Sequence, residues 1–396
     1  MSLDQAERAV GARLLPGAKN WWFLGPGGVA RLRDGHVTPE GALRPDARRQ
    51  LRESGLLATT AVRSYALTVL TSTHCNLGCG YCFQNIAQDP TGGSRPPRMP
   101  QTRLTSATIT SVLDFTRRQM AAVGLEKLRI LLFGGEPLLN PKGCLELLER
   151  ARDFGLDSAW MISNATLLTP ALAGQLGALG LDSIQVTFDG DRPDHDRIRI
   201  ARADGGGTYD TIVRNIARAS QVSEIGWRLR VNVSQENFDG IDGLLERLAT
   251  DVDPGRCTLY FARVGDVGIG YANDLLHNGE LAATFSRWQR RALDLGFTVS
   301  RPDAHRVCAT CGHTGGRYGA VVSADGTLAS CWETAGKPDW DVGSVTDGYL
   351  PDETTRERWV GCEDLYRYHD DAPTLRTFRD SVDAALLDYL HETGRL

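Results

Sequence analysis

From about residue 64 to residue 300, apolar runs of strand length alternate with amphipathic stretches of helical length, and that rhythm restricts the chain to βα units repeated around a parallel sheet. The candidate strands are 65–72, 128–133, 159–163, 183–188, 228–234 and 258–264. Between and after them, helical patterns run over 106–123, 143–154, 170–179, 208–221, 240–250 and 279–295. Six units are fewer than a closed eight-unit barrel requires, so the α/β fold expected is an open, partial (β/α)6 TIM-like barrel. In such a barrel the loops that follow the strands carry the site.

The flanks break the rhythm. Residues 1–60 form an N-terminal accessory element, in which NWWFLGPGGVARLRDGHVTPEG predicts two short strands around a Gly-Pro-Gly-Gly turn and RPDARRQLRESGLL a short helix. Trp21, Trp22 and Phe23 in that element are core anchors on one reading and part of a reduced leader-peptide module on another. The barrel occupies 61–300, interrupted at 88–101 by QDPTGGSRPPRMPQ, which predicts a loop close to the first cysteine group. From 301 to 396 the pattern becomes a cysteine-rich region and a closing helix over 375–391. With 44 basic against 49 acidic residues, the net charge of −5 gives no footprint for nucleic acid. The first residues lack an apolar signal core and no apolar run reaches membrane-spanning length, so the expected location is the cytoplasm, with no membrane partner.

Nine cysteines, an odd number gathered mainly in two places, argue for thiolates that bind metal rather than for disulfides. Cys144 and Cys257 stand apart and read as small buried hydrophobes. In THCNLGCGYCF, directly after the first strand, Cys75, Cys79 and Cys82 are spaced closely enough for one loop to wrap one cluster. Three thiolates hold three irons of a cubane and leave the fourth open to a ligand. Zinc is the alternative, although a structural zinc takes four protein ligands and only His74 is at hand. The second strand ends in FGGEP, whose glycines allow close backbone approach and whose Glu136 offers a carboxylate. The third ends in SNATLL and the fourth in FDG, where Asp189 reads as a turn residue.

The cysteine triplet together with Gly134-Gly135-Glu136-Pro137 resembles the radical S-adenosylmethionine superfamily, over about residues 64–300. The resemblance implies a [4Fe-4S] cluster whose open iron binds the amino and carboxylate groups of S-adenosylmethionine and passes an electron to its sulfonium. A 5'-deoxyadenosyl radical results and abstracts a substrate hydrogen. By the same likeness Gly134, Gly135 and Glu136 contact the methionine amino group, Ser163, Asn164 and Thr187 are candidates for ribose or carboxylate contacts, and Tyr81 lies by the adenine. Ser163 and Asn164 are equally suited to capping a helix, and Thr187 to packing within its strand. His195 and Arg199, in RPDHDRIRIARADGGGTYD, resemble a segment of the peptide-modifying branch and read equally as a solvated loop.

In CGHTGGRYGAVVSADGTLASC, the spacing of Cys311, Gly326 and Cys331 resembles the opening of the SPASM and twitch domains, which append auxiliary iron-sulfur clusters. A hairpin turning at Ala324-Asp325-Gly326 would bring Cys331 back beside Cys308 and Cys311. The resemblance implies one auxiliary [4Fe-4S] cluster, with Cys362 as the distant fourth ligand, and zinc on the same four thiolates is the local alternative. A full SPASM domain has a further set of cysteines, so a shortened form is expected. Members of this branch act mostly on ribosomally made precursor peptides, forming thioether or carbon-carbon cross-links or oxidised side chains. They draw electrons from an external donor such as flavodoxin or ferredoxin. The nearest rival is a sulfatase-maturing enzyme, which oxidises a protein Cys or Ser. That family carries an acid directly after the counterpart of Cys331 and two auxiliary clusters, whereas Trp332 and then Glu333 stand here. Glu333 is the candidate catalytic base, although an exposed carboxylate is the commoner explanation for such a residue. A non-catalytic metal- or peptide-binding protein is the third reading, and the intact triplet and Gly-Gly-Glu-Pro stand against it.

Overall fold

The computed structural model describes residues 3–58, 61–88, 96–266, 268–337, 339–361 and 372–396. At the N-terminus, β1 (Arg13–Pro16), β2 (Trp21–Gly25) and β3 (Gly28–Leu32) form an antiparallel sheet in that order. This is one strand more than the sequence suggested, because RLLP is too short to show a period of its own. Alternation along β1 and β2 buries both faces. Leu14 and Phe23 face a cluster with Leu43, Ala47 and Leu51, while Leu15, Trp22 and Leu24 face Ala384 and Leu387 of the closing helix Ala372–Glu392. Trp22 and Phe23 are thus core anchors. Trp22 Nε1 also donates to Asp388 Oδ1 at 2.8 Å, and Arg13 makes ion pairs of 2.6 Å with both Asp380 and Asp383. The accessory sheet is clasped to the other end of the chain.

The expected six parallel strands are present: β4 (Ser64–Ser72), β5 (Lys127–Gly134), β6 (Leu156–Ile162), β7 (Leu181–Phe188), β8 (Gly226–Val233) and β9 (Cys257–Arg263). They pair in sequence order. Side chains at alternate positions point to opposite faces. Val69, Ile130, Leu132, Met161, Ile184 and Leu229 belong to the core shared with the surrounding helices, whereas Leu70, Leu131 and Phe133 face a smaller cluster with Met99, Trp160, Ile162 and Trp332 inside the barrel. Each fully buried Leu or Ile contributes about 1.5–3 kcal/mol. Helix ends are set locally: Thr105 caps Ser106–Val123 by accepting from Thr108 N, and Gly124 closes that helix at φ 67.

Beyond the sixth unit the sheet does not stop. The two-residue β10 (Thr298–Val299) adds parallel to β9, and on the opposite edge β11 (Gly319–Val322) adds parallel to β4. From β11 the chain continues as an antiparallel meander through β12 (Thr327–Ala329), β13 (Asp341–Ser344) and β14 (Gly348–Tyr349). The β11–β12 pair is the hairpin expected at Ala324-Asp325-Gly326, with Gly326 at φ 93 and its N–H donating to Ser323 O. The cysteine-rich region is therefore joined to the barrel through one continuous sheet. No helix among the described residues is long and apolar enough to cross a membrane.

Candidate functional site

One cavity opens at the ends of the barrel strands, and Cys75, Cys79, Cys82, Tyr81, Gly134, Gly135, Ser163, Asn164, Thr187 and Glu333 all line it. The loop after β4 carries the three cysteines, with Cys75 and Cys79 buried and Cys82 half-buried. The end of β5 lies hard against that loop. Gly134 sits at φ 136, where a Cβ would overlap the Ser72 carbonyl, and a Cβ on Gly135 would lie 2.5 Å from His74 O. Only glycine allows this approach.

Hydrogen-bond donors converge on the sulfurs. Leu77 N donates to Cys75 Sγ at 3.4 Å, Asn164 Nδ2 to the same sulfur at 3.9 Å, and Arg98 Nη1 to Cys82 Sγ at 3.3 Å. Burial raises the Cys75 thiol above its ordinary range and pushes Cys79 up to about 12, so cation binding here is coupled to proton release. Among the described residues, no group of three or more His, Cys, Asp or Glu is arranged to hold a metal ion. Three largely buried cysteines on one wall, donors aimed at two of their sulfurs and a glycine edge beside them are compatible with a polynuclear cluster.

Glu136 does not line the cavity. Its buried carboxylate accepts from Leu138 N at 2.9 Å, Ser163 Oγ at 2.7 Å and Asn164 N at 2.7 Å. Burial raises its pKa against these bonds. The carboxylate thereby fixes the loop after β6, in which Ala165 takes the uncommon φ of 59. Asn164 Nδ2 reaches Asn76 Oδ1 at 2.9 Å, and Asn76 Nδ2 reaches Thr166 Oγ1 at the same distance, so this loop is sewn to the cysteine loop. Ser163 and Asn164 also make the local turn bonds to Ala165 N and Thr166 N.

Tyr81 is tied down at its hydroxyl, which donates to Asp189 Oδ2 at 2.7 Å and accepts from Arg199 Nη1 and Asn232 Nδ2, each at 2.9 Å. Asp189 is therefore not a bare turn residue: it is buried, and desolvation raises its carboxyl while Arg199 lowers it. The solvated-loop reading of His195 and Arg199 is likewise overturned. Asp191 and Pro193 start a short helix, Arg192–Ile198, that carries His195 inward. There its Nδ1 accepts from Asp189 N at 3.4 Å, and Phe188 and Tyr209 pack its ring.

Sequence reasoning missed Arg98, Arg230, Asn232 and Arg263, which line the same cavity. Part of the signal was legible in WRLRVNV, where polar residues alternate within a buried parallel strand and so must face the barrel interior.

The second cysteine group lies off this cavity. Cys311 and Cys331 are buried together against Trp332 and Val360, while Cys308, whose carbonyl accepts from Gly312 N, is exposed. Trp359 Nε1 donates to Cys311 O at 2.8 Å, so the chain returns beside this pair shortly before Cys362. Cys362 lies outside the described residues. Trp332 and Glu333 extend from the group into the cavity, where Trp332 packs on Phe133 with ring centroids 5.6 Å apart.

Residues 69–248 match the Radical SAM superfamily. The chain is 28% identical over 323 residues to the PqqA peptide cyclase of Ruegeria pomeroyi, covering 78% of each. It is 26% identical to the Fe-coproporphyrin III synthase of Methanosarcina barkeri, over 60% of this chain and 54% of that one. In fold it is similar to the solved structure of native anSMEcpe with bound AdoMet, with a TM-score of 0.59, 14% identity, and coverage of 84% of this chain and 100% of that one.

Proposed function

We propose, from the premise that residues 69–248 form a radical SAM domain, that this chain removes a hydrogen atom from a peptide by reductive cleavage of S-adenosylmethionine. The observation that carries the reading is the single cavity shared by Cys75, Cys79 and Cys82 of the barrel and by Trp332 and Glu333 of the cysteine-rich region. The peptide substrate is supported by the similarity to a peptide cyclase over 78% of the chain. Cys75, Cys79 and Cys82 would hold a [4Fe-4S] cluster, which supplies the electron that cleaves the carbon-sulfur bond to give methionine and a 5'-deoxyadenosyl radical. This chain's residues bind, orient and shield. Gly134 and Gly135 offer backbone to the methionine end, Ser163, Asn164 and Thr187 offer polar groups, and Tyr81 presents a ring that Asp189, Arg199 and Asn232 hold by its hydroxyl. Glu136 acts one step back by positioning Ser163 and Asn164.

An auxiliary [4Fe-4S] cluster on Cys308, Cys311, Cys331 and Cys362 belongs to the same reading, as do an external donor of the flavodoxin or ferredoxin kind and a reducing, cytoplasmic setting. Glu333, within the cavity, favours as a second reading the oxidation of a Cys or Ser side chain. There Glu333 would take up the thiol or hydroxyl proton while the carbon radical would pass its one electron to the proposed auxiliary cluster, leaving the oxidised side chain. Protein reconstituted anaerobically, reduced and mixed with S-adenosylmethionine and precursor peptides encoded beside its gene tests these readings. A modified peptide lighter by about two hydrogens is expected. An unchanged mass with every such peptide, alongside continuing 5'-deoxyadenosine release, would redirect the reading to a small-molecule substrate.

A further inference from the structure

Arg98 places a fixed cation on the cysteine loop. Its Nη1 donates to Cys82 Sγ at 3.3 Å and its Nη2 to Gln84 Oε1 at 2.6 Å, while its buried Nε has no hydrogen-bond partner among the described residues. The backbone keeps the guanidinium there. Asn85 and Arg98 form an antiparallel bridge, Ile86 N donates to Pro97 O at 2.9 Å, and Met99 N donates to Gln84 O at 3.3 Å. A further strap runs from Arg202 Nη2 to Pro96 O at 3.1 Å, and Met99 is buried against Phe83 and Phe133. Residues 96–99 are thus stitched to the stretch that directly follows Cys82. Among the described residues, the donors on Cys75, Leu77 N and Asn164 Nδ2, are neutral groups, whereas the donor on Cys82, Arg98 Nη1, carries a charge.

We propose that Arg98 sets the reduction potential of the cluster held by Cys75, Cys79 and Cys82, through a charge-assisted hydrogen bond to the Cys82 thiolate. The inference rests on the radical reading of the loop. Reduction by one electron adds negative charge to the cluster and its thiolates, and a cation fixed on one sulfur stabilises the reduced state more than the oxidised one. Hydrogen bonds to the sulfurs and net charge are two of the quantities that set such potentials. A partly buried site strengthens the effect, and a guanidinium keeps its proton at every working pH. The consequence is a balance: the cation eases reduction by an outside donor and weakens the drive for passing the electron on.

Redox titration followed by electron paramagnetic resonance on anaerobically reconstituted protein tests this. The radical cluster's signal is identified by its response to added S-adenosylmethionine, and iron is counted for each variant. R98L and R98Q are expected to shift the midpoint to more negative values by about tenfold in the reduction equilibrium, ~59 mV for a one-electron couple. R98K, which keeps the charge, and Q84A, which removes only the tether, should stay near wild type. R98Q retains an amide donor and provides the measurement if R98L takes up too little iron. Equal midpoints for wild type and R98Q at equal iron content would overturn the inference. So would a Q84A shift as large as that of R98Q, since the role would then be structural. Wild-type protein that assembles no [4Fe-4S] cluster would remove the radical reading itself, an outcome distinct from an unmoved midpoint.

Discussion

Glu136 carries the sharpest consequence at the scale of single residues. Its carboxylate meets only donors, two backbone N–H groups and a hydroxyl, so an amide in its place turns an NH2 toward at least one of them. Leaving such a buried group unsatisfied costs about 1–3 kcal/mol. E136Q should therefore lower the thermal midpoint of the metal-free protein, which differential scanning calorimetry can check. An unchanged midpoint would contradict the positioning role of its carboxylate. His195 supplies a pH signature. Burial and the nearby Arg199 hold its pKa well below the ordinary 6.5, so the folded chain keeps a neutral imidazole while the unfolded chain takes up a proton. Stability rises with pH wherever the unfolded state binds more protons. This contribution is complete above pH 6.5 and is lost as pH falls below it, by at most about 1.4 kcal/mol per unit. H195N should flatten the decline of urea-unfolding stability between about pH 6.5 and 5.5. Equal slopes in the two proteins would contradict the buried neutral assignment.

At the scale of elements, the site depends on how closely strand ends approach one another. G134A would place a methyl group onto the Ser72 carbonyl in a backbone region that side chains avoid, so the β4 and β5 ends must separate. A loss of at least about 1–3 kcal/mol in stability is expected, together with poor iron uptake on reconstitution. Normal folding and iron content in G134A would show that the close approach is dispensable. The six strands were legible in the sequence because each is a strand-length segment, continuously or alternately apolar, set between stretches of helical periodicity. The cavity's cysteine-bearing wall was legible because THCNLGCGYCF and FGGEP fall directly after two of them. Other features were hidden for physical reasons. β1 and β10 are too short for a period, and β11 belongs to the barrel sheet only through pairing with a strand some 250 residues earlier. The inward turn of His195 depends on packing against Phe188 and Tyr209, that of Asp189 on hydrogen bonds from Tyr81 and Arg199, and the reach of Arg98 to Cys82 on a bridge between Asn85 and Arg98.

At the scale of the whole molecule, the chain closes on itself twice. The accessory sheet is clasped to the closing helix through Arg13 and Trp22, and the cysteine-rich region re-enters the barrel sheet beside β4. The second closure brings Trp332 and Glu333 to line the same cavity as the cysteine loop. The central claim is that this loop holds the cluster that cleaves S-adenosylmethionine. It is tested most directly by quantifying 5'-deoxyadenosine, by liquid chromatography, from reduced wild-type protein and from the variant with Cys75, Cys79 and Cys82 all replaced by Ala. The wild type should release 5'-deoxyadenosine and the triple variant none, whereas release from the triple variant at the wild-type rate would contradict the account.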